Sequence, residues 1–304
     1  DKIIAVDSGI NIPENAIIKD LNGAYIYPSF IDLYSDYGLS KVKKTKKLTH
    51  GPQYESSKNG AYNWNEAIHS EVNASSLFKN DFEGAKKYLN VGFGTLLTHQ
   101  KDGIFRGSGS LILLSKKREN KNILMPNAAT FYSFKKGLST QRYPTSLMGS
   151  IALIKQTLLD ANWHAQKQKK GTDLSLDGYN EKKDLPKIFS ITDVLDYNRV
   201  FKIADEFEID YIIKGTGKEY SKINEVLKTN AALIIPINFP ESFDVSNPEE
   251  AEWITLADLK DWEASPFNPR ILAENAIVFS ITSSELKEKK DFLPKLKTAV
   301  KMGL

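Results

Sequence analysis

Tyr27-Pro28-Ser29-Phe30-Ile31-Asp32-Leu33-Tyr34-Ser35-Asp36-Tyr37-Gly38 is the stretch on which the fold turns. Pro28 and Ser29 punctuate its start and Gly38 its end, so it reads as a buried strand running into a polar tip. Residues two apart in a strand share a face. Asp32, Tyr34 and Asp36 therefore form one row.

The spacing of this stretch resembles the amidohydrolase superfamily. There the first barrel strand carries Pro-Gly-Phe-Ile-Asp-x-His-x-His, whose two histidines grip a catalytic metal. Here Pro28, Phe30, Ile31 and Asp32 keep the framework, while Tyr34 and Asp36 stand in the histidine places. Upstream, Pro13, Ala16, Asp20 and Gly23 match the pattern that closes the family's small β-sandwich segment. Residues 1–24 read as short strands, Ile10 to Ile12 and Ala16 to Leu21, with turns at Asp7-Ser8-Gly9, Pro13-Glu14-Asn15 and Asn22-Gly23. The resemblance implies a partial β-sandwich over 1–27 and an α/β (β/α)8 TIM-like barrel over 28–304.

Downstream, residues 39–80 form a long polar excursion. It holds a solvated lysine run (Lys41, Lys43, Lys44, Lys46 and Lys47) and the pair Glu66 and His69 at helical carboxylate–histidine spacing. Asp81 to Leu89 reads as a capped helix, and Gly92 to His99 as a glycine-led buried strand with His99 at its end. Gly103 to Ser110 reads as a tight barrel loop, with Arg106 its one candidate anion ligand. No Gly-Lys-Ser/Thr follows it, so it is not a phosphate cradle of the nucleotide-binding type. Leu111 to Leu114 and Ala128 to Phe134 read as strands, Pro144 to Gln168 as the longest helix, and 169–187 as a flexible loop.

From residue 188 on, strand and helix patterns alternate with short links, which predicts parallel strands and helical crossovers. Closure into a barrel fits the chain length. An open doubly wound sheet is the alternative, because strand count does not show closure.

A hydrolytic metal site needs deprotonated ligands from several strand ends and an open position for water. The resemblance places a histidine after the fifth strand, another after the sixth, and an aspartate after the eighth. In this chain Ser190, Lys214 and Ser284 fall there, with Ser283 or Glu285 taking the last place if the register slips by one. No bridging lysine or glutamate can be placed on the fourth strand. With Tyr34 and Asp36, all five positions carry something other than the family ligand. Asp36 and Lys214 are expected to meet at the barrel mouth as an ion pair.

The resemblance thus implies a non-catalytic structural or interaction module of a longer amidohydrolase-family protein, with no metal expected. The alternative is an active hydrolase of carbon–nitrogen bonds that holds zinc through His69, His99, Asp36 and Glu66. A third reading is a small-molecule binder that reuses the pocket. The partners these readings imply are a second amidohydrolase domain, another copy of the chain, or a small molecule.

The composition narrows the rest. A net charge of +3 over 304 residues, evenly spread, argues against nucleic acid and membrane surfaces. Without cysteine there is no disulfide or thiolate chemistry. No apolar run is long enough to span a bilayer, so a soluble chain is expected. No leader pattern opens at Asp1. Prior removal of an export signal is compatible with that, so no compartment is assigned.

Overall fold

The computed structural model describes residues 3–43, 56–166, 171–246 and 248–304. Eight strands, β1 (Phe30–Ser35), β2 (Phe93–Thr98), β3 (Phe105–Leu113), β4 (Ile123–Ser133), β5 (Lys187–Ser190), β6 (Tyr211–Lys214), β7 (Leu233–Pro236) and β8 (Phe279–Thr282), form one sheet in sequence order. Neighbours pair in parallel except at β2–β3 and β3–β4, which are antiparallel. The protein is thus an α/β fold built on a mostly parallel sheet.

Both faces of the sheet are covered, which is why β5 to β7 read as nearly continuous apolar runs. One face packs Phe105, Tyr132, Phe189, Ile213 and Ile235 against Leu153, Ile154, Leu158, Val200 and Ile203 of the surrounding helices. The opposite face gathers Tyr34, Leu97, Ala129, Phe131, Ile188 and Ile234 into a second layer. In β4 to β7 alternate residues supply the two layers, as the pleat requires.

The helices follow local signals. Asp81 caps Phe82–Leu89 by accepting from the Gly84 N–H at 3.0 Å, and Ala85 and Tyr88 form its buried side. Leu147–Gln166 buries Ser150, Leu153, Ile154, Thr157, Leu158, Ala161 and His164, one stripe at helical spacing. It begins three residues after Pro144. Leu256–Ala264 starts in a reciprocal capping box between Thr255 and Asp258.

The sequence reading needs four corrections. Residues 3–29 contain turns but no strand, and their side chains are exposed. The turns at Pro13 and Asn22-Gly23 do form, through Ala16 N–H to Pro13 C=O and Ala24 N–H to Leu21 C=O. The flanking segments have no partner strand, and an isolated hairpin is marginal in water. The β-sandwich segment is therefore unsupported.

Gly103 to Ser110 is largely not a loop, since residues from Phe105 belong to β3. The glycines serve close approach: a Cβ at Gly109 would sit 2.5 Å from the Phe131 ring, and one at Gly107 would sit 2.1 Å from the Val72 carbonyl oxygen. The antiparallel β3 also departs from the all-parallel strand set of a regular (β/α)8 barrel, while the strand–helix alternation from residue 188 onward is present. Finally, the stretch read as a flexible loop contains the helix Leu174–Asn180, capped by Asp173. Lys44, Lys46 and Lys47 of the lysine run lie outside the described residues.

Candidate functional site at the strand ends

The parallel ladders bring the C-terminal ends of the strands to one side, with Ser35 beside Thr98, Ser133 beside Ser190, and Ser190 beside Lys214. Asp32 fastens the two ends of the strand order together. Its carboxylate accepts from Thr282 Oγ1 at 2.6 Å, Ser283 Oγ at 2.6 Å, the Ser283 N–H at 2.9 Å and the Tyr34 N–H at 3.1 Å. All its partners come from β1 and the end of β8, so this buried charge is fully committed to structure.

Tyr34 is the centre of the site. Its phenol oxygen accepts from Arg106 Nη1 at 2.9 Å, and Arg106 is itself buried. Two ammonium groups lie over its ring, Lys101 at 5.2 Å and Lys214 at 5.5 Å from the centroid. Burial pushes the phenol up, but the Arg106 guanidinium, a Ser190 hydrogen bond, and the charges of Lys101 and Lys214 more than offset it. The phenol consequently ionises below its ordinary value.

His99 stacks on Phe131, with ring centroids 3.6 Å apart and planes 3° apart, and meets Tyr34 edge-on at 4.6 Å. Its backbone N–H closes β1 to β2 by donating to the Ser35 carbonyl at 2.9 Å. Among the described residues, neither ring nitrogen has a hydrogen-bond partner. Burial, followed by the charges of Arg106 and Lys101, holds the imidazole well below its usual range, with the Ser35 backbone opposing.

Lys214 does not meet Asp36. Its ammonium pairs with Glu285, one residue beyond the aligned Ser284. Glu285 also accepts from Asn238 Nδ2 at 3.3 Å. Asp36 points outward, with its side chain 62% exposed, and pairs with Lys101 at 3.3 Å. The expected Asp36–Lys214 contact is thus replaced by two separate pairs, because Asp36 lies past the last paired residue of β1 while Glu285 turns inward after β8. Ser284 is buried, and its N–H donates to Thr282 Oγ1 at 3.0 Å.

The substitute metal ligands are not brought together. His69 lies between Lys58, 3.0 Å from Nδ1, and Asp102, 3.6 Å from Nε2. Glu66 accepts from the Ser57 N–H at 2.7 Å and also from the Ser57 hydroxyl. Among the described residues no three His, Asp or Glu side chains are grouped so as to share a metal ion. Hydroxyls, a phenol, an ammonium and a single outward carboxylate are a poor donor set for zinc.

Two contributors were missed in the sequence. Lys101 is signalled only by following the strand-end His99 by two residues. Asp32 shares the face of Tyr34, but its partners lie some 250 residues away in the chain.

No family model matches the chain, and no curated protein matches it. Among solved structures, the fold is similar to that of an amidohydrolase from Thermotoga maritima MSB8, with a TM-score of 0.70 and 16% identity over 99% of this chain and 76% of that one. A likeness at that identity speaks for the fold alone. No helix among the described residues is long and apolar enough to cross a membrane.

Proposed function

We propose that this chain is an amidohydrolase-like TIM barrel acting as a structural or interaction module without metal-dependent hydrolysis. Its sheet closes between β1 and β8 through Asp32. The reading is supported by the fold likeness and by the inner layer of side chains that a small barrel fills from alternate strand positions.

The observation that carries it is the buried Lys214 ammonium at the strand ends, 2% exposed, with Arg106 and Lys101 around the same tyrosine. The Lys214–Glu285 pair occupies the strand ends, and the Arg106 guanidinium and Lys101 ammonium around Tyr34 add positive charge that opposes a divalent ion. Zinc does not fit such a donor set. In this reading any hydrolytic activity belongs to a second amidohydrolase domain or to a partner protein, which this barrel would support by contact.

The test is elemental analysis after incubation with zinc and removal of the excess. The expected result is well below one equivalent retained. Retention of one equivalent or more, abolished by Asp36→Ala or His99→Ala, would overturn the proposal in favour of an active carbon–nitrogen hydrolase.

A further inference from the structure

Lys214 and Glu285 do more than neutralise each other. The two oxygens of the Glu285 carboxylate are held separately, Oε1 by the Lys214 ammonium and Oε2 by the Asn238 amide at 3.3 Å. An ammonium and an amide N–H on the two oxygens of one carboxylate make a receptor for that group. The Lys214 half of the receptor is enclosed, because Lys214 sits at the end of β6, 2% exposed, with its ammonium over the Tyr34 ring, while Asn238 is exposed at the mouth. The occupant is not enclosed. Glu285 is 42% exposed and lies in the turn after β8 with φ +69°, a backbone region that side chains other than glycine rarely adopt.

The outer surface of Glu285 forms a wall of a cleft of about 260 Å³, together with Asn238, Phe239, Glu241, Lys287 and Lys295. At about 30 Å³ per water-sized volume, that is room for a molecule of a few heavy atoms. On the rim, Lys287 and Lys295 are matched by Glu241 and Asp291. Rim charge therefore does not select the visitor, and the deep charge of Lys214 does.

We propose that the strand-end site is a receptor for a small aliphatic carboxylate, occupied at rest by the chain's own Glu285. A ligand entering the cleft displaces the Glu285 side chain into solvent. Its two oxygens then take the Lys214 ammonium and the Asn238 amide, and its apolar end lies against Phe239. No covalent step is involved. The proposal rests on the metal-free reading above and names the ligand class of the same site.

The test is calorimetric titration of chelator-treated protein with acetate and propionate, against chloride at equal ionic strength. Saturable one-site binding is expected in the wild type. Glu285→Gln keeps the shape but weakens the resident competitor, and should bind about tenfold more tightly or better, a difference of about 1.4 kcal/mol. Lys214→Met should abolish binding. No saturable binding in either the wild type or Glu285→Gln, equal affinity in the two, or binding that survives Lys214→Met would each overturn the receptor.

If Glu285→Gln fails to fold, Glu285→Asp decides the matter. Its shorter side chain draws the carboxylate back from Lys214 and should tighten binding, whereas unchanged or weaker binding overturns the proposal. The two readings fail separately. Carboxylate binding that appears only with retained zinc defeats the metal-free reading, while no binding in a chain that retains no zinc defeats the receptor alone.

Discussion

Replacing His99 with phenylalanine should stabilise the protein, and more so in acid. The imidazole is fully buried against Phe131 and Tyr34, and its two ring nitrogens lack partners among the described residues. Leaving a buried donor or acceptor unmade costs about 1–3 kcal/mol each. Phenylalanine keeps the stack and removes both, but its extra bulk in a packed layer returns about 1–3 kcal/mol. The expected net gain near pH 7.5 is about 1 kcal/mol, roughly 1.5–2 °C in Tm.

The pH dependence is the sharper part. The folded-state pKa of His99 lies well below 6.5, so on acidification the unfolded chain takes up a proton that the folded chain refuses. This contribution is fully present above about pH 6.5 and is lost as pH falls toward the folded value. The variant lacks it, so the stability gap between variant and wild type should widen as pH falls from 7.5 to 5.5, read from urea unfolding midpoints at both pH values. A variant that is less stable at pH 7.5 and loses stability in parallel with the wild type on acidification would show that His99 is hydrogen-bonded or charged in the folded protein.

Other perturbations probe the neighbouring groups. Absorbance titration near 295 nm should show one tyrosine ionising below the ordinary range, lost in Tyr34→Phe, because Arg106 and the two lysines favour the phenolate. That ionisation adds stability as pH rises from the folded value toward 10, so a wild type without any early tyrosine step would contradict it. Asp32→Ala strands the Ser283 N–H and cuts the link between β1 and β8, and should cost about 3–5 kcal/mol in chemical denaturation. A cost under about 1 kcal/mol would mean that the strand ends hold without it. The Lys214–Glu285 pair should respond asymmetrically. Glu285→Ala leaves a buried ammonium unpaired and should cost about 2–3 kcal/mol, discounted for the exposure of Glu285, whereas Lys214→Met leaves a carboxylate that solvent can hydrate and should cost about 1 kcal/mol or less. Equal costs would place the ammonium in solvent.

Much of this protein is local in its sequence. Phe30 to Ser35 and the runs at β2 and β5 to β8 are short apolar stretches bounded by turn residues, and they form strands wherever a neighbour pairs with them. Asp81 and Thr255 mark helix starts because a side-chain oxygen can reach an unpaired N–H a few residues on. Tyr34, Ser190 and Lys214 stand at or next to the ends of β1, β5 and β6, positions that the family resemblance rather than local pattern marked out. The strand-like stretches before Tyr27 fail on the same principle, since a strand needs a partner that local sequence does not supply. The first half of β3 was hidden for the opposite reason: Gly107 and Gly109 look like loop residues, and only the nearness of Val72 and Phe131 shows why they must be glycine.

Which charges pair at the strand ends was never a local property. Asp36 and Lys214 both lie at strand tips, but the reach of each depends on the loops above them. The loop after β2 carries Lys101 out to Asp36, and the left-handed turn at Glu285 carries a carboxylate in to Lys214. Asp32 likewise finds Thr282 and Ser283 only because the fold brings the end of β8 to β1. Sequence determined which side chains stand at the strand ends, because period and turn chemistry act over a few residues. Only the tertiary structure decided their partners, because Coulomb and hydrogen-bond contacts depend on ångström distances between segments hundreds of residues apart.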